Sequence, residues 1–191
     1  MNNARPFLFV VAAIILGTGI GVYRIAGVEK SEAFFNNGNW IGSKDLPLGK
    51  DNLLTAQVTV FALFALPSQE AVYLFARRDD EKEILNSETD YTITGNIHQI
   101  QARYWSITLY GKDLYSVPNA YERYSFNNTS LKTDSAGNFT ITVSHQQKGE
   151  NWLPSPNKTR FNLVLRIYKG EQNFLQQLEK TPLPVIKKLK A

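Results

Sequence analysis

Hydrophobic and polar positions alternate with a period of two along much of the second half of this chain. The clearest run is Ala102 to Tyr110, ARYWSITLY. Arg103, Trp105, Ile107 and Leu109 fall on one face of an extended strand, and Tyr104, Ser106, Thr108 and Tyr110 on the other. β-Branched and aromatic residues dominate, and neither Gly nor Pro interrupts. Large rings on both faces predict a central strand covered in part on each side. Asn138 to His145, NFTITVSH, turns Phe139, Ile141 and Val143 to one side, and Arg160 to Tyr168 does the same with Phe161, Leu163, Leu165 and Ile167. Ala71 to Ala76, Thr89 to Thr94 and Glu122 to Asn127 predict shorter strands. Turn chemistry separates them at Gly111-Lys112-Asp113, Asn127-Asn128 and Asp134-Ser-Ala-Gly137. With no βαβ unit present, the pattern predicts a mainly β fold, an antiparallel β-sandwich of jelly-roll-like kind.

Two stretches break the period of two. Phe7 to Tyr23, FLFVVAAIILGTGIGVY, is a 17-residue uncharged run, at the short end for a helix that spans a membrane. Pro6 suits a first helical turn, Arg5 and Arg24 bracket the run, and Tyr23 suits an interface. Val22-Tyr23-Arg24 lacks the small residues of a signal cleavage site, so the run reads as a retained single-pass anchor rather than a removed leader. Arg5 favours an inside N-terminus and an exported domain. Gly17 and Gly21 form a G-x-x-x-G, which offers a pairing face for a homo-oligomer. Asp51 reads as the cap of a second apolar helix, Asn52 to Leu66, buried in the domain and ending before Pro67. Asn173 to Lys180 predicts a short C-terminal helix. The organisation expected is an anchor over 1–28, a linker over 29–50, a sandwich over 51–185 and a solvated basic tail over 186–191.

Composition adds bounds. Of 191 residues, 43% are hydrophobic and 12% aromatic, which suits a packed core. The formal net charge of +4 comes without a basic stripe interleaved with aromatics, so no nucleic-acid partner is expected. Cysteine is absent, which excludes disulfides, thiolate catalysis and Cys-based zinc sites.

Five separated motifs stand in order: YWSITLYG at 104–111, ERYSFNN at 122–128, a D-x-x-G-x-x-T-I turn and strand at 134–141, NWLPSP at 151–156 and FNLVLRIY at 161–168. Together they resemble the bacterial domain of unknown function 1214 over residues 51–185. The resemblance implies a β-sandwich, often beside a second related domain in longer proteins, where this chain carries the apolar anchor. It implies no established reaction.

Trp105, Tyr110, Arg123, Asn151, Trp152, Arg166 and Tyr168 are the polar and aromatic residues of these motifs. Folded over the central strand, they would form an amphipathic pocket. An Arg in it would hold a carboxylate or sulfate while rings stack on an apolar or sugar moiety. The competing reading makes them structural core. His98 and His145 are the only histidines. Ser144 points away from its neighbour His145, so no nucleophile and base are paired, and no metal or cofactor set is expected. Paired Asp79 and Asp80 read as a hairpin tip. The function expected is a membrane-anchored envelope protein, in a bacterial inner membrane with a periplasmic domain. That domain binds a small amphiphilic ligand, a sugar or an envelope protein. The alternative is an envelope hydrolase acting on an amphiphilic or anionic substrate.

Overall fold

A computed structural model describes residues 4–26, 34–43 and 66–189. The chain divides into two units, 1–34 with 46–65, and 35–45 with 66–191. In the first unit, helix α1 (Ala4–Ala26) runs 23 residues, about 35 Å at the helical rise. Pro6–Tyr23 has a mean hydropathy of 2.1, long and apolar enough to cross a membrane. Its large side chains, Phe9 and Tyr23 among them, are exposed. The length and composition suit an anchor or a signal sequence. The second apolar helix expected over Asn52 to Leu66 lies outside the described residues.

The second unit is a sandwich of two sheets. Its strands are β1 (Phe35–Asn37), β2 (Trp40–Gly42), β3 (Ala71–Ala76), β4 (Tyr91–Asn96), β5 (Ala102–Gly111), β6 (Ser125–Asn127), β7 (Asn138–Ser144), β8 (Trp152–Pro154), β9 (Phe161–Gly170) and β10 (Val185–Lys188), with a short helix α2 (Gln172–Gln176) before the last. One sheet has the order β1-β2-β3-β9-β5-β6 and the other β10-β4-β7-β8. The apolar face read in each long strand is the core face, although Ser106, Thr108 and Val164 of the other face are buried as well. Trp105, Ile107 and Leu109 of β5 meet Phe139, Ile141 and Val143 of β7 and Leu163, Leu165 and Ile167 of β9 in one core.

Three expectations need correction. The pairing is not wholly antiparallel, because β8 runs parallel to β7, with Thr142 opposite Trp152. The seven-residue return over 145–151 suffices because it goes back only about three residues, or about 10 Å. The stretch 29–50 is not all linker. Phe35–Asn37 and Trp40–Gly42 form a hairpin on the sheet edge, and Trp40 is buried, with its Nε1–H on Pro184 O at 2.7 Å. Residues 186–189 are not a solvated tail. Val185–Lys188 pairs with β4, and Ile186 is fully buried. Asn39 acts there as a surrogate strand: its Oδ1 accepts from Ile186 N at 3.0 Å. The lysines reach the acidic turn opposite, Lys188 to Glu81 at 3.0 Å and Lys187 to Asp80 at 3.7 Å. Asp79 organises that turn, its Oδ1 accepting from Glu81 N and Glu83 N.

Ile186→Ala should therefore cost about 2–5 kcal/mol, the range for truncating a buried aliphatic. Guanidinium unfolding measures it. A loss within about 0.5 kcal/mol, as for a surface change, would show that this strand is peripheral.

Candidate functional site

The seven motif residues do not form one pocket. They separate into three places, each set by strand parity and sheet edges. Trp105 faces inward from β5, 1% exposed, with its ring 5.7 Å from Phe139.

Asn151, Trp152 and Arg123 lie where β6 and β8 end their respective sheets. Asn151 is buried, and its amide is fully used: Oδ1 accepts from Lys132 N at 2.8 Å, and Nδ2 donates to Lys132 O at 2.7 Å and Thr140 O at 3.2 Å. Trp152 is buried too, its Nε1–H shared between Ser144 O and Ser144 Oγ. Arg123 sits 5.8 Å from the Trp152 ring and reaches its carbonyl at 3.5 Å, while Tyr121 packs edge-on at 4.8 Å. This cluster closes one side of the sandwich and leaves few polar atoms for anything else. Ser144 Oγ also donates to Gln146 O at 2.6 Å, so it is tied to Trp152 and its own loop. His145 and His98 are exposed. Among the described residues no three His, Asp or Glu gather as metal ligands.

Tyr110, Arg166 and Tyr168 stand on the outer face of the six-stranded sheet, where even positions of β5 and β9 point away from the core. Register places Tyr73 and Ser106 on either side of Arg166, and Ala71 and Tyr104 on either side of Tyr168. Tyr168 packs against Tyr73 at 6.3 Å and Tyr104 at 5.8 Å. Arg166 pairs with Ser106, whereas Tyr110 lies four residues on along β5, about 13 Å away at the rise of a strand. The two side chains therefore lean toward each other along the sheet. Arg166 Nη2 donates to the Tyr110 hydroxyl, and the guanidinium lies 5.2 Å from the Tyr110 ring centre. Arg166 Nε is buried and has no acceptor. No carboxylate pairs with this guanidinium among the described residues.

Tyr73 and Tyr104 were absent from the candidate set read in the sequence. Ala71-Val-Tyr-Leu-Phe-Ala76 read as an ordinary strand, and only its register against β9 brings Tyr73 beside Arg166. The parity of the tyrosines in β3, β5 and β9 was the available signal. Burial, reinforced by the Tyr168 hydroxyl, pushes Tyr73 up to about 12 from 10.0, against the pull of Arg166.

A separate recess of 690 Å³ opens between α2 and the ends of β3 and β9. Val72, Leu175 and Leu178 are its apolar lining, and Gln69, Gln172 and Gln176 part of its polar lining. Its volume suits a small molecule, but among the described residues its lining holds no ionisable group. The Arg166 face, unlike this recess, combines a charge with rings.

The raised Tyr73 has a measurable consequence. Unfolded tyrosine ionises near 10, whereas Tyr73 holds its proton to about 12. Between these values the unfolded chain releases a proton that the folded chain keeps, so stability falls as pH rises through the window. Tyr73→Phe should make this alkaline decline shallower and remove a phenol titrating near 12 from the ultraviolet titration. Superimposable curves would place Tyr73 in an ordinary solvated setting.

The family model described as "Protein of unknown function (DUF1214)" matches residues 70–172. The crystal structure of the VPA0106 protein from Vibrio parahaemolyticus is similar, with a TM-score of 0.62 and 26% identity, over 97% of this chain and 46% of that one. An uncharacterized protein from Burkholderia cenocepacia aligns over 91% of this chain and 42% of its own at 16% identity, with a TM-score of 0.46, too low to carry an argument. The chain thus spans about half the length of these solved proteins. No curated protein matches it. With more than half of its 191 residues covered by the family model, the chain belongs to the DUF1214 family of proteins of unknown function.

Proposed function

We propose that this chain is a membrane-tethered binding module of the bacterial cell envelope, with α1 as a retained tether and the sandwich on the periplasmic side. Its working surface is the partly exposed part of the outer face of the six-stranded sheet around Arg166, Tyr168 and Tyr104, beside Ser106, Thr108 and Val164, which are buried. The observation that carries this reading is Arg166, a partly buried cation with an unsatisfied Nε–H and no carboxylate partner among the described residues, set in a field of tyrosines. Desolvating a charge without a counter-charge is costly, and a binding role gives that cost a purpose. Strands position the side chains, so the surface is preorganised.

The binding reading is preferred to the hydrolase reading because the groups a hydrolase would enlist are engaged elsewhere. Asn151 and Trp152 are held by backbone groups, and Ser144 Oγ by Gln146 and Trp152.

Thermal-shift screening of the full chain in detergent tests the module. The panel comprises metals, sugars, fatty acids, sulfate and nucleotides. A ligand at a hundred times its dissociation constant adds about 2.7 kcal/mol. The expected result is a stabilising ligand whose effect disappears in Arg166→Gln while the circular dichroism is unchanged. Silence across the panel, or a ligand indifferent to Arg166, would overturn this assignment of the surface.

A further inference from the structure

From the face already proposed as the binding surface, we infer the class of its ligand: an organic monocarboxylate with an apolar, ring-bearing body. The carboxylate would sit against Arg166 and the body against Tyr168 and its neighbours. This inference rests on the binding-module reading and adds the chemistry to it.

Three observations converge. The first is charge. Arg166 is the only charged residue among the outward positions of β3, β5, β6 and β9, so the face offers one positive unit. A carboxylate neutralises it one for one. A phosphate monoester, close to two negative charges at neutral pH, would keep an uncompensated charge over a sheet face with little water. The second is shape. A guanidinium is a planar fork that matches the plane of a carboxylate. One Nη already donates to Tyr110, which fixes the plane, and Nε–H has no acceptor. The third is the ground beside it. Tyr104 stands beside Tyr168 and Tyr73 diagonally across from it, on three strands, their rings in edge and tilted contact. Tyr104 is 38% exposed. Such a row presents ring faces and edges to an apolar body, with hydroxyls at its rim. Tyr73 holds its proton to about pH 12, so it stays neutral at working pH and does not repel an anion.

Isothermal titration calorimetry on the full chain in detergent tests the inference with four probes: phenylacetate, phenylacetamide, acetate and inorganic phosphate. Phenylacetate should bind at least about tenfold more tightly than the isosteric amide, as a charge-assisted pair requires, and more tightly than acetate or phosphate. Arg166→Gln should erase the advantage over the amide. Arg166→Lys, which keeps the charge and loses the fork, should retain part of it. Tyr168→Ala should weaken phenylacetate while leaving acetate unchanged. Phosphate binding more tightly than phenylacetate overturns the monocarboxylate class, as does equal binding of acid and amide. If that binding is still lost on Tyr168→Ala, the module itself stands. No heat from any probe, with a hit from another class in the thermal screen, likewise overturns the class alone. Silence in both experiments removes the module as well.

Discussion

The pairing of β5 with β9 is the constraint on which the rest of the structure depends. It sets nine residue pairs in register, from Ala102 opposite Gly170 to Gly111 opposite Phe161. Because side chains alternate, a slip by one residue would put Trp105, Ile107 and Leu109 on the same face as Arg166, either turning them out of the core or carrying Arg166 into it. The buried surface of three large apolar side chains opposes that slip. The same register that packs the core thereby aligns Arg166 with Ser106 and Tyr168 with Tyr104 on the far side. Stability on one face fixes the chemistry on the other.

Each open side of the sandwich is closed by a tryptophan whose indole N–H is satisfied by backbone. Trp152 does this where β6 and β8 end their sheets, with Arg123 and Tyr121 laid over it. Trp40 does it where the β1–β2 hairpin approaches β10. A buried indole needs an acceptor as well as a cavity. Each closure therefore fixes orientation as well as filling space. The NWLP motif is explained by this architecture rather than by ligand chemistry, since Asn151 ties the 132 and 140 backbones to the start of β8.

Long strands were legible in the sequence because burial imposes a period of two on them. β5, β7 and β9 carry it almost without exception. Strands β1, β2 and β8 escaped because three residues cannot display a period, and β6, equally short, was legible only within the run Glu122 to Asn127. In Phe35–Gly42 the stabilising groups are asparagines, whose amides stand in for backbone, and in sequence asparagine reads as turn. Val185–Lys188 escaped for a different reason. Its lysines look like a solvated end until Asp80 and Glu81 are seen across from them. The candidate surface was half legible. Arg166, Tyr110 and Tyr168 lie in motif strands, but the pairing that adds Tyr73 is non-local, and the parity of Tyr73 within β3 does not say which strand lies beside it. The same non-locality separated Arg123, Asn151 and Trp152 from them.

The clasp between Asn39 and Ile186 joins residues 147 positions apart. The cost of closing a loop grows only slowly with its length, and the pairing of β10 with β4 shares it over four residue pairs. Without β10, β4 would present Tyr91 to Thr94 as a bare edge, a template for foreign strands. Strand β10 thus keeps that edge out of reach of a second chain.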